Sequence, residues 1–213
     1  MHETKTDVAV ASSPWSGGTA PFAVNSKKLG MWLFIVSDTL TFSAMLLVYS
    51  WERLANSGSP GWPRPFEFYP AIIKSSAMTI ILLFSSLTMV LGVAAAHKND
   101  RAKTVRYLLL TALGGLAFVV LHTTEWIHLF QEGYTPWSNP EGVPLFGATF
   151  FGITGLHMLH VTTGVLYLIV MSIGYGGGKF SADDVEVSGL YWHFVDLVWM
   201  FVFPMIYLMS IKL

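Results

Sequence analysis

Five long apolar segments constrain the fold of this chain more than any other feature of its sequence. A helix needs about 20 apolar residues to cross the roughly 30 Å hydrocarbon core of a bilayer. Of all residues, 53% are hydrophobic and only 12% are charged, about half the charged share of a soluble domain. We therefore predict an all-α integral membrane bundle of five transmembrane helices. Their approximate spans are 29–51, 71–96, 106–130, 145–174 and 188–211.

The remaining segments predict one membrane domain and its orientation. Residues 1–25 are polar and lack the apolar core of a signal peptide, so we predict an extramembrane tail before a single five-helix domain over 26–213. Lys and Arg accumulate on the cytoplasmic side of membrane proteins. Eight of the twelve basic residues fall on the side of the membrane that carries the N-terminus. We therefore predict a cytoplasmic N-terminus and an external C-terminus. The eight are Lys5, Lys27, Lys28, Lys98, Arg101, Lys103, Arg106 and Lys179.

Composition excludes several kinds of chemistry. The chain has no cysteine, which excludes disulfides, thiolate zinc sites, iron–sulfur clusters and covalently attached haem. Any metal would need His, Met or carboxylate ligands alone. The net charge is -1 and no basic stripe is present to neutralise phosphates, so we predict no nucleic-acid partner.

Ionisable groups inside a membrane are costly, usually have partners in the bundle and often have a function. The first is Asp38, about nine residues into the first span and therefore roughly 14 Å deep. Nothing nearby in the sequence neutralises this carboxyl group, so it is either protonated or paired with a group on another span. A structural hydrogen bond between helices and a role in proton or ligand binding both remain open.

The third span carries a second group. His122 and Glu125 are three residues apart and share one face of the helix, with His128 one turn further on. A face with acid and imidazole groups can relay protons or bind a metal. The alternative is that Glu125 lies near the outer interface and is partly hydrated.

The fourth span carries His157 and His160 on one stripe. Structural zinc needs four ligands and catalytic zinc at least three from the protein, and a bis-histidine haem needs one imidazole from each of two facing helices. Two histidines on one helix satisfy neither requirement, so a metal would need ligands from the third or fifth span. Helix packing and contact with lipid headgroups are the alternatives.

The fifth span completes the set of polar candidates. His193 and Asp196 are again three residues apart, beside Trp192 and Trp199. Counting along the helices gives two layers of matching depth, in which carboxylate–imidazole pairs would satisfy the polar groups without a metal and without a catalytic residue. The inner layer is Asp38, His160, His193 and Asp196, and the outer layer is His122, Glu125 and His157.

Four motifs, in order on successive helices, resemble subunit III of the haem–copper terminal oxidases. The two histidine motifs are the most specific, and together the four cover nearly all of the chain beyond the tail. They are GMWLFIVSD at 30–38, Glu125-Trp126, the 150–164 segment with TGLHMLHV at 154–161, and YWHFVDLVW at 191–199.

The resemblance implies a subunit without redox centres. In this family, subunit I holds the haems and copper, and subunit III packs against it and binds phospholipid in a cleft between helices. It supports stability, proton uptake and oxygen access. Asp38, His193 and their neighbours would line or brace that lipid cleft. The expected partners are subunit I, the other oxidase subunits, phospholipid and a larger respiratory assembly.

Departures from the family pattern leave alternatives open. Asp38 stands where the cytochrome c oxidase branch usually has Glu, and His122 stands where that branch commonly has Gln. Five helices instead of seven resemble the short bacterial form, which implies a bacterial inner membrane. Cytochrome c and quinol both remain as electron donors. The alternative functions are an accessory subunit of nitric oxide reductase, a b-type cytochrome anchor and a proton-coupled transporter.

Overall fold

Five helices form the described part of the chain, and the predicted all-α fold class is confirmed. The computed structural model describes residues 26–58 and 61–212, so the predicted tail lies outside the described residues. Each of the five helices is long and apolar enough to cross a membrane. They are α1 (Ser26–Ala55), α2 (Ile73–His97), α3 (Arg101–Gln131), α4 (Pro144–Gly176) and α5 (Ala182–Val202).

Several helices extend beyond the apolar spans because their polar ends carry capping residues. The Asp100 side chain accepts a hydrogen bond from the Lys103 backbone N–H at 3.1 Å and so begins α3. A hydrogen bond from the Lys103 side chain holds the pKa of the Asp100 carboxyl below its usual range. Ser181 and Asp184 form a reciprocal capping box that begins α5 six residues before the predicted span. Hydropathy alone detects the apolar part of a helix and misses such ends.

The end of the bundle at which α1 ends is named the far end, and two irregular segments meet there. Phe68–Ile72 precedes α2, and Phe203–Tyr207 followed by Leu208–Ser210 continues α5. The ring of Phe66 stacks on Tyr207 with centroids 4.7 Å apart, and the Lys212 backbone N–H donates to the Phe66 carbonyl at 2.9 Å. The C-terminal segment is therefore fixed against the loop that leads into α2.

Small and hydroxyl-bearing residues let the central helices approach closely. On the α2–α3 contact, the hydroxyls of Thr88 and Thr111 are 2.8 Å apart. A Cβ atom added to Gly114 would lie 2.8 Å from the Cβ of Ser85. This packing is typical of membrane bundles, in which close backbone contact replaces a hydrophobic driving force.

Helix α1 lies at the edge of the bundle against α4 and α5. Among its thirty residues, only Phe42 and Tyr49 are buried. Lys27 donates to Asp184 at 2.6 Å and Lys28 to Glu186 at 2.5 Å, so ion pairs attach its first turn to α5. At the far end, the hydroxyls of Tyr49 and Ser210 are 2.9 Å apart. Polar contacts thus hold both ends of a largely exposed helix.

Gly115 provides a direct test of the tight packing between α3, α4 and α5. A Cβ added there would collide with the ring of Trp192 and lie 2.7 Å from Cγ2 of Val165, whereas a Cβ at Gly30 would meet nothing within 4 Å. We expect Gly115→Ala to lower the free energy of unfolding by about 1–3 kcal/mol through overpacking. The measurement is an SDS titration in mixed micelles.

Gly30→Ala is the matched control, because it gains the same helix propensity without a collision. Equal stability of the two variants would contradict the packing that the structure gives to Trp192.

Candidate functional site

The predicted polar residues lie in three places. The inner layer is divided between two pairs of helices, since Asp38 contacts His160 while His193 and Asp196 contact Ser86. His122 and His157 contact the rings of Phe118 and Trp199 within the bundle. The division arises because each helix is rotated about its own axis in the packed bundle. Position along the sequence predicts depth in the membrane but not this rotation.

Asp38 of α1 and His160 of α4 form the first place. The Nδ1 atom of His160 is 2.8 Å from the Leu156 carbonyl, which can only accept, so Nδ1 carries a hydrogen. The Nε2 atom lies 3.4 Å from Oδ2 of Asp38. That distance is long and its alignment falls short of a hydrogen bond, so the two groups make a close polar contact. One further proton shared by the two groups makes the contact attractive, whichever of them carries it.

Ser86 of α2 connects the second pair, His193 and Asp196 of α5. Its hydroxyl donates to Oδ2 of Asp196 at 2.7 Å and lies 3.3 Å from Nδ1 of His193. Because the only hydroxyl hydrogen points to the carboxylate, Nδ1 of His193 is the donor to the serine oxygen. His193 also lines an apolar groove between α2 and α5, together with Val93 and Gly189.

The third place contains His122, Glu125 and His157, all buried. Tyr207 donates to Oε2 of Glu125 at 3.1 Å, and the Ser75 hydroxyl lies 3.1 Å from Oε1. Oε2 also lies 3.7 Å from Nδ1 of His122. Among the described residues, none of the four ring nitrogens of His122 and His157 has a hydrogen-bond partner. Buried nitrogens of this kind ordinarily bind an internal water.

Trp192 and Trp199 attach α5 to α2 through their indole N–H groups. Trp192 donates to the Ser85 hydroxyl at 3.1 Å, and Trp199 donates to the Thr79 hydroxyl at 2.9 Å. Trp199 also stacks on the His157 ring at a centroid distance of 5.2 Å. Both indoles are almost completely buried, so each donor needs the hydroxyl partner that α2 supplies.

Four hydroxyls of α2 are the polar partners that the sequence analysis missed. We call them the α2 hydroxyl stripe. Their spacing along an apolar helix could have identified them, since hydroxyl side chains in membrane spans commonly bond across helices. The stripe consists of Ser75, Thr79, Ser85 and Ser86.

The arrangement can hold and exchange protons and can brace helices. Within residues 26–58 and 61–212, no group of three or more His, Asp or Glu side chains is placed to bind a metal ion. The carboxylates of Glu125 and Asp196 instead accept hydrogen bonds from hydroxyl groups.

The Asp38–His160 contact predicts a measurable coupling between α1 and α4. We expect the single changes Asp38→Ala and His160→Ala to be non-additive with the double change, with a coupling of about 0.5–3 kcal/mol in the free energy of unfolding. Asp38→Asn keeps the shape and loses the charge, so its effect should be intermediate. SDS titration of the four proteins in mixed micelles gives these values.

Ser37→Ala is the control, because the Ser37 hydroxyl bonds only the Phe34 carbonyl of its own helix. Strict additivity of Asp38→Ala and His160→Ala would show that the pair is not coupled.

Comparison with known proteins identifies the family. The family model described as cytochrome c oxidase subunit III matches residues 2–211. The chain is 31% identical over 198 residues to the cytochrome bo(3) ubiquinol oxidase subunit 3 of Pseudomonas aeruginosa, covering 92% of this chain and 87% of that protein. It is 32% identical over 192 residues to the cytochrome c oxidase subunit 3 of Alkalihalophilus pseudofirmus, covering 87% and 88%. The Bacillus subtilis protein of the same name is 31% identical over 189 residues, covering 87% of each chain. The chain therefore belongs to the cytochrome c oxidase subunit III family of multi-pass membrane proteins.

Proposed function

We propose that this chain is the accessory subunit III of a bacterial haem–copper oxidase, located in the inner membrane with its N-terminus in the cytoplasm. The family match over residues 2–211 is the observation that carries the proposal. The chain packs against subunit I, which holds the haems and copper, and binds none of them itself. The described residues support this division of labour, since hydroxyl groups of the bundle contact Glu125 and one oxygen of Asp196.

The lipid-binding part of the proposal rests on the edge position of α1. An apolar groove runs between α1 and α5 and has hydroxyls from Thr39 and Ser43 in its wall. Such a groove suits a phospholipid acyl chain, because lipid tails fill apolar clefts between membrane helices. Asp38 precedes Thr39 by one residue and contacts His160 of α4. Asp38 and His160 would therefore brace the lipid cleft and fix the angle between α1 and α4.

The pairs of titratable groups support a further role in proton uptake by the complex. A carboxyl group next to an imidazole can hold a proton inside the membrane at low cost, since the pair is neutral overall. The same apolar groove would admit oxygen from the lipid phase. The relatives are named both as cytochrome c oxidase and as ubiquinol oxidase subunits, so either electron donor suits the proposal.

Co-purification tests the assembly. A tagged form of the chain, extracted in mild detergent, should bring down a subunit with the absorption spectrum of haem and an oxygen-reducing activity. The chain separated from that complex should show no haem Soret band. A stoichiometric Soret band in the isolated chain would overturn the proposal and identify a b-type cytochrome anchor. Recovery with a nitric oxide-reducing complex would instead identify the chain as an accessory subunit of nitric oxide reductase.

A bulky residue in the groove tests lipid binding. Leu197 lines the groove and is 56% exposed in the chain alone. We expect Leu197→Trp to fill the groove, to reduce the phospholipid retained per haem in the purified oxidase and to accelerate inactivation during turnover. Phosphorus analysis and the decay of the oxygen-consumption rate are the measurements.

Leu166→Trp is the matched control, since Leu166 is 59% exposed on α4 away from the groove. If both variants retain the same phospholipid, the groove is not the lipid site.

A further inference from the structure

A cavity at the far end of the bundle leads to the buried carboxyl group of Glu125. We call it the vestibule. The irregular turn before α2 and the last turns of α3 form its walls, and Glu125 is the most deeply buried of its charged residues, with an exposure of 5%. The lining includes Phe66, Ala71, Lys74, Glu125, His128 and Glu132.

The charged groups around the vestibule leave Glu125 without a cation within bonding distance among the described residues. The Nζ atom of Lys74 is 3.5 Å from the Thr124 hydroxyl, and Lys212 pairs with Glu67 at 3.3 Å. His128 lies 3.6 Å from Glu132 at the exposed rim. A buried carboxylate without a paired cation is costly as an anion, so this position favours a group that gains a proton readily.

The hydrogen bonds of Glu125 are consistent with a protonated form. The Ser75 hydroxyl lies 2.9 Å from the Ala71 carbonyl and 3.1 Å from Oε1 of Glu125, but it has only one hydrogen to donate. If Ser75 donates to the carbonyl, which can only accept, a protonated Glu125 donates back to the serine oxygen. Both contacts are then satisfied. On the other oxygen, Tyr207 donates to Oε2 at 3.1 Å.

His122 lies on the inner side of Glu125. Its Nδ1 is 3.7 Å from Oε2 of Glu125, and neither of its ring nitrogens has a hydrogen-bond partner among the described residues. The next titratable group is His157, whose ring makes an edge contact with Phe118 while the ring of His122 stacks on it. His122 is thus a titratable neighbour of Glu125 within the bundle.

We propose that the vestibule is a proton-exchange site in which water reaches Glu125 from the far end of the bundle. Hydronium gives its proton to the Glu125 carboxylate and leaves as water. The site does not depend on the lipid groove between α1 and α5 and lies outside it.

Infrared difference spectroscopy of the purified oxidase complex tests proton exchange at Glu125. We expect a protonated-carboxyl C=O band that shifts on transfer to D₂O at a rate resolved by rapid mixing and is lost in Glu125→Gln. Asp38→Asn and Asp196→Asn should retain this band, because those carboxyl groups lie elsewhere. A band that fails to shift, or the absence of any band sensitive to Glu125→Gln, would overturn the proposal.

A variant that narrows the vestibule tests the route by which water reaches Glu125. Ala71→Leu adds volume to its wall without changing a charge, so it should keep the band and slow its deuterium shift by about an order of magnitude. Ala94→Leu, in the groove between α2 and α5, is the matched control and should leave the rate unchanged. An unchanged rate in Ala71→Leu would show that water reaches Glu125 by another route.

The absence of cysteine from the chain allows a third test that does not require a change at Glu125. In right-side-out vesicles, a membrane-impermeant thiol reagent should modify Ala71→Cys in the intact complex. It should not modify Ala112→Cys, which is 4% exposed within the bundle. Mass spectrometry of this subunit gives the extent of labelling. If Ala71→Cys is not labelled, or is labelled only from the opposite side of the membrane, the vestibule does not open as proposed.

Discussion

The rest of the bundle depends on the hydrogen bonds between the α2 hydroxyl stripe and the polar groups of α3 and α5. In hydrocarbon, an unsatisfied indole or carboxylate costs several kcal/mol because no water is available to replace the lost partner. Ser85 and Thr79 satisfy the two indoles, while Ser86 donates to one oxygen of Asp196 and Ser75 contacts Glu125. Each bond fixes one rotation of α5 or α3 relative to α2, so the stripe determines which faces of these helices meet.

Close packing follows from that orientation. Once Trp192 is directed at Ser85, its ring occupies the space that side chains at Gly115 and Gly164 would need. The glycines and the indole therefore form one unit with the hydroxyl stripe. Helix α1 takes no part in it and rests on the outside of α4 and α5. This explains why the two ends of α1 are tied by polar contacts and why its middle carries the Asp38–His160 contact.

The sequence predicts what depends on one helix and fails where two helices must be placed together. Apolar length identifies five spans, and a spacing of three places His122 and Glu125 on one face, where the structure finds them 3.7 Å apart. Ser86 and Tyr207 were not anticipated as partners because the rotation of α2 and the path of the C-terminal segment are set by tertiary packing. Matching depth likewise grouped Asp38 with Asp196, although their helices direct them to different neighbours.

The surroundings of each carboxyl group determine whether it is suited to exchanging protons or to bracing helices. Asp38 faces an imidazole at the edge of the bundle, and Asp196 faces a serine and an imidazole beside an apolar groove. Glu125 instead contacts two hydroxyls, those of Ser75 and Tyr207, at the floor of a cavity with a charged rim. A group that is held by neutral donors and adjoins a polar cavity can change its protonation without breaking an ion pair. Asp38 instead joins α1, on the outside of the bundle, to His160 of α4, so its contact is suited to bracing these helices.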